Sequence, residues 1–165
     1  MGDNGAMPVP FEAMPDELTG LHTFIDAQRS ALLRKLAGLT DEQATTHSTV
    51  SSFTLLTLVK HAAFVERRWF QLEIARRDVP GLWPPADDRE MQIEAGDTVT
   101  SIRALYEETI AENQAILDDV TDLESVSPAT GLNRRWVLLH LIEELARHAG
   151  QADIIRESID GATGA

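Results

Sequence analysis

Apolar positions recur along this chain at three- and four-residue steps, the spacing that places side chains on one face of an α-helix. From Asp16 to about Ala37, Leu18, Leu21, Ile25, Leu32 and Leu36 share a face, with Arg29, Arg34 and Lys35 elsewhere and Gly38 as a stop. A second helix is predicted from about Thr54 to Arg77, through Leu55, Leu58, Ala62, Val65, Trp69 and Leu72. A third starts at an Asp97 or Thr98 cap and runs to about Val120 on Ile102, Leu105, Tyr106, Thr109, Ile116 and Leu117. The fourth spans about Arg134 to Ser158, ahead of Gly161. Thr40-Asp-Glu-Gln43 has capping-box spacing and predicts one short helical turn. No strand-like alternation of useful length occurs, and no internal repeat. Four long amphipathic helices predict an all-α four-helix bundle, with connections long enough to allow a crossover topology.

The connections divide the chain further. Residues 1–15 hold three of the seven prolines and read as an N-terminal arm, followed by a bundle domain over 16–161 and a tail at 162–165. Val79-Pro-Gly-Leu-Trp-Pro-Pro-Ala86 opens a turn-rich loop of about 20 residues, a length that is unusual inside a compact domain and often functional. Its Trp83 is a packing anchor or part of a pocket mouth. Residues 121–133, with Pro128 and Gly131, make the other long connection.

Composition narrows the function classes. At 165 residues the chain suits one domain with a single core. Its 27 acidic against 14 basic residues give a net charge of −13, which disfavours nucleic-acid binding. The densest basic group, Arg67, Arg68, Arg76 and Arg77, is interleaved with Glu66, Glu73 and Asp78 and reads as a solvated helix face. No membrane-spanning run and no secretory signal are evident, and there is no cysteine, which excludes disulfides, zinc ribbons and a cysteine nucleophile. These features fit a cytoplasmic protein. Trp69, Trp83 and Trp136 could leave apolar surface for a homodimer.

The candidate chemistry lies on the fourth helix, where His140, Glu144 and His148 follow one another at four-residue steps. With Glu144 as origin, Val137 and Ile155 lie about 20°, His148 about 40° and Leu141 about 60° around the wheel, whereas His140 and Gln151 lie about 40° and 20° the other way. Glu144 therefore borders the apolar arc and His148 lies within it. On the second helix His61 borders its own arc beside Val65, Leu58 and Trp69. If the two helices face each other, His61, Glu144 and His148 converge as a three-ligand metal site with one position left open. The same spacing serves a core histidine and a salt-bridged carboxylate, with Arg147 and Arg68 as partners, and spacing alone leaves both readings open. His22 fits core or interface packing, and His47 a solvated loop. Phosphate-loop, nucleophile-elbow and His-Glu-x-x-His motifs are missing.

Two stretches resemble the DinB-like superfamily: Leu58-Val-Lys-His61-Ala-Ala-Phe-Val-Glu66-Arg-Arg-Trp69-Phe and Leu139-His-Leu-Ile-Glu-Glu-Leu-Ala-Arg-His148-Ala-Gly-Gln151. With the later Ile-Arg-Glu-Ser-Ile-Asp-Gly161, the resemblance runs from about Leu18 to Gly161 and is nearest to an actinobacterial-type branch. It implies a four-helix bundle with His61, Glu144 and His148 as metal ligands. Many members have histidine where this chain has Glu144, but the related mycothiol-dependent maleylpyruvate isomerase has a His, Glu, His set. Gln151 matches a glutamine that often follows the last ligand, and His140 and Gln151 are the candidates for orienting a ligand from behind. The implied activity is that of a transferase or isomerase using a low-molecular-weight thiol such as mycothiol, made nucleophilic as the thiolate at the metal and acting on a small-molecule substrate. Zinc suits the donor set, as do nickel and iron. The rival readings are a metal-dependent hydrolase and a non-catalytic helical metal-binding or interaction protein.

Overall fold

The computed structural model describes residues 16–79 and 89–163, and these form the expected all-α bundle. Its helices are α1 (Glu17–Lys35), the single turn α2 (Asp41–Ala44), α3 (Leu55–Arg67), α4 (Val99–Asp118) and α5 (Arg134–Asp160). Each long helix opens on a side-chain cap. Asp16, Thr54, Thr98 and Asn133 accept from the backbone N–H groups of Thr19, Thr57, Ser101 and Trp136. Gly161 closes α5 in the left-handed conformation, which glycine adopts without steric cost. α1 packs most extensively on α5 and α3 on α4, and α3 also packs on α5. Leu32, Leu36, Leu55, Leu58, Tyr106, Leu117, Leu141 and Leu145 are fully buried between them. Among the described residues there is no strand, only an isolated bridge between Val126 and Asn133. The expected arm and Trp83 lie outside the described residues.

The second helix departs from expectation. It does not stay α-helical to Arg77 but passes at Arg68 into a π-helical segment, Arg68–Ile74, in which Ala75 N–H bonds back to Phe70 O at 2.8 Å. π-Turns of this kind concentrate at functional sites, because the wider turn re-aims side chains. Here the segment carries Arg68 and Trp69.

The solvated face read around Glu66 is also corrected. Glu66 is fully buried and Arg68 nearly so. Arg29 of α1 reaches Glu66 with Nε at 3.1–3.2 Å and Nη2 at 2.6 Å, and Tyr106 donates to Glu66 Oε1 at 2.8 Å. Burial works against the Arg29 charge, but Glu66 outweighs it and raises the pKa of the guanidinium. Burial, and next the Glu66 charge, push the Tyr106 hydroxyl well above its ordinary value, so it remains a donor. A carboxylate followed by two arginines looks solvated until a distant arginine arrives to neutralise it.

Lys60 anchors the end of the long loop: its ammonium donates to Gln92 O at 2.8 Å and to Asp97 Oδ2 at 2.7 Å. Burial opposes ionisation of Asp97, but the Glu94 backbone N–H and Lys60 hold its carboxyl below the usual range. A depressed folded pKa gives stability that is present above the ordinary value of 3.8 and lost as pH falls through the folded one. Asp97→Asn is therefore expected to lower stability near neutral pH and to flatten the acid limb below about pH 4, as read by urea midpoints between pH 6 and 3. An acid limb identical to wild type would contradict the assignment.

Candidate functional site

Three side chains predicted from sequence converge between α3 and α5. One donor atom from each of His61, Glu144 and His148 lies within 4.8 Å of the others. Glu144 Oε1 sits 3.3 Å from His148 Nε2 and 3.8 Å from His61 Nε2. The imidazoles meet edge to face, with ring centroids 4.9 Å apart at 86°. α5 supplies Glu144 and His148 one turn apart, and the α3–α5 contact brings His61 across to them.

Each donor is held from behind. His148 Nδ1 lies 2.8 Å from Gln151 Oε1, one turn further along α5. The tautomer with the proton on Nδ1 satisfies that oxygen and leaves Nε2, 3.3 Å from Glu144 Oε1, free to act as a ligand. His61 Nδ1 faces Glu90 Oε1 at 3.2 Å, an ion-pair distance off the line of a hydrogen bond. Glu90 Oε2 in turn accepts from Arg68 Nη2 at 2.6 Å. Burial disfavours the charge on Glu90, but the His61 contact and the Arg68 guanidinium outweigh it and hold the carboxyl below its usual range. Arg147 donates to Glu144 Oε2 at 2.9 Å, so the oxygen facing the imidazoles is Oε1.

The consequence is electrostatic. With an oxygen near Nδ1 of each imidazole, the two Nε2 atoms and a carboxylate oxygen of Glu144 face one another across a few ångströms. Two imidazole nitrogens and a carboxylate oxygen are donors that a divalent cation can bridge. Ligand atoms around a tetrahedral ion with bonds of about 2.0–2.1 Å stand about 3.3–3.4 Å apart. The 3.3 Å and 3.8 Å separations are close to that and all three donor atoms lie within 4.8 Å, so side-chain rearrangement would let these residues hold a divalent cation. The chemistry of the donors suits a borderline ion such as zinc.

His140 is placed differently. It makes no hydrogen bond to the three converging residues and instead packs between two indoles. Its ring stacks on Trp136 at 5.0 Å and 18° and meets Trp69 edge-on at 4.8 Å. Trp136 is 44% exposed, so this aromatic group forms a wall beside the site that solvent can reach. His22 is half-buried on α1, with its Nε2 buried and unpaired, and His47 is exposed. The residue that sequence reasoning missed is Glu90, in the short 3₁₀ turn Arg89–Met91 at the end of the long loop. A loop has no periodicity to say where a carboxylate points. The one available signal was the loop's length, which marked it as functional.

A family model described as Mycothiol-S-transferase matches residues 20–161. A crystal structure of a conserved protein from Enterococcus faecalis superposes with a TM-score of 0.68 at 18% identity, covering 91% of this chain and 100% of that one. At that identity the likeness shows the fold. The chain has no match among curated proteins.

Proposed function

Because the chain belongs to the mycothiol S-transferase family, we propose that it is a divalent-metal-dependent enzyme joining a low-molecular-weight thiol such as mycothiol to a small electrophile. His61, Glu144 and His148 are the proposed ligands and zinc the preferred ion, with nickel and iron as other occupants. The observation that carries this reading is the convergence of two imidazole Nε2 atoms on one carboxylate oxygen. The ion, when bound, supplies a Lewis acid that stabilises the sulfur as thiolate at neutral pH. The nucleophile comes with the thiol, consistent with a chain that has no cysteine.

The chain's own residues do the rest. Gln151 and Glu90 hold the imidazoles with Nε2 forward, the role that partners behind a ligand commonly play. Arg147 neutralises the rear oxygen of Glu144. The aromatic group of Trp69, His140 and Trp136 offers an apolar surface to the electrophile at one side of the site.

The test is turnover of an electrophile by metal-loaded protein with and without mycothiol. Thiol-dependent consumption of the electrophile is expected. Turnover without thiol would identify a hydrolase, and no turnover with either would favour the non-catalytic reading. Glu90→Gln is expected to weaken divalent-metal affinity about 10–100-fold, as judged by competition with a chromophoric chelator. Unchanged affinity would remove Glu90 from the account.

A further inference from the structure

A cleft of about 590 Å³ lies between the end of the π-helical segment, the C-terminus of α4 and the start of α5. None of its lining residues belongs to the His61–Glu144–His148 group. Arg134 on its wall is ten residues before Glu144 on α5, about 15 Å along the helix axis. Arg76, Arg77 and Arg134 line it together with Asp119, Ser125 and an apolar floor that includes Ile116. On a chain of net charge −13, three arginines against one aspartate in a cleft lining, with Arg77 paired to Glu112, are a local excess of positive charge. At physiological salt, screening over about 8 Å lets such near charges dominate the distant ones.

Two of these arginines stand where local stability argues against them. Arg76 has φ 56 and is the one non-glycine residue in the left-handed region among those described. It follows the helical C-terminus, where glycine is the usual choice. The guanidinium it brings there donates to Val126 O at 3.1 Å through one of its five N–H groups. Arg134 opens α5, where the helix dipole disfavours a cation. Its neighbour Arg135 is paired with Glu17 and Glu124, whereas no hydrogen bond or ion pair of the Arg134 guanidinium occurs among the described residues. Positions that break local rules without local compensation point to function.

We propose that this cleft is a second ligand site, taking a small hydroxylated organic anion, a carboxylate or a phosphate monoester. Arg76 and Arg134 grip the anionic group, since the planar guanidinium fork matches both oxyanions. Asp119 and Ser125 bind a hydroxyl or amine on the same molecule. Arg77 is largely engaged, donating to Glu112 at 2.5 Å, and contributes field more than contact.

The test is calorimetric titration of the metal-free 165-residue protein with citrate in one arm and glycerol 3-phosphate in the other, at ~0.1 M salt. Saturable one-to-one binding of at least one of them is expected, and the arm that saturates identifies the anion. Arg134→Ala and Arg76→Gly should each weaken it at least about tenfold. Arg76→Gly relieves the backbone, so its thermal midpoint should match or exceed that of wild type while binding is lost. His61→Ala should bind as wild type does, which keeps this result independent of the metal reading. No saturation by about 10 mM of either anion, equal binding by the arginine variants, or loss in His61→Ala would each overturn the proposal.

Discussion

Glu66→Ala is expected to cost about 3–5 kcal/mol of folding stability, the largest effect of any single change outside the site. The variant leaves Arg29 charged and buried, with only Asp26 and Gln114 as partners at the edge of the network. It also strips the acceptor from the buried Tyr106 hydroxyl. Against a typical total of about 5–15 kcal/mol, that loss brings the protein close to unfolding at room temperature. Urea denaturation of the two proteins measures it directly. Replacing Arg29 and Glu66 together by methionine should recover much of the loss, since an apolar pair removes both desolvation penalties. A Glu66→Ala variant within about 1 kcal/mol of wild type would mean that the pair is solvated.

His148→Ala is expected to reduce thiol-dependent turnover by at least about 10³-fold, equivalent to several kcal/mol of lost transition-state stabilisation. His148 is buried, so its thermal midpoint must be checked alongside. His140→Ala supplies the contrast. His140 packs on Trp69 and Trp136 and, among the described residues, has no hydrogen bond or ion pair with the proposed ligands. That variant should keep its metal and show its effect mainly in KM for the electrophile. Equal losses of activity in both variants, with metal retained in both, would mean that the two histidines serve the site in the same way.

Much of this was legible in the sequence, for reasons that particular residues make plain. Helices α1, α4 and α5 announce themselves because Leu21, Ile25 and Leu32, then Ile102, Tyr106 and Ile116, and then Val137, Leu141 and Ile155 recur at helical spacing, and all of them are buried. Glu144 and His148 were visible as a pair because both lie on one helix, where spacing alone fixes their relation. His61 was visible only as a histidine at the edge of an apolar arc, and its approach to Glu144 depends on how α3 packs on α5. The π-helical segment was hidden. Trp69 and Leu72 continue an α-helical pattern acceptably, and the longer i→i+5 hydrogen-bond span accompanies burial of Phe70, Gln71 and Ile74, which spacing does not report. Glu66 was misread because charge patterning carries no information about a partner 37 residues away. Glu90 lies in a loop, where no repeat reports direction.

The central claim is that His61, Glu144 and His148 form one divalent-metal site. Elemental analysis of wild-type and His61→Ala protein, each loaded with zinc and dialysed exhaustively, tests it most directly. The account predicts one zinc ion per wild-type chain and little or none in the variant. Equal metal content in the two proteins, or no retained metal in wild type, would contradict it.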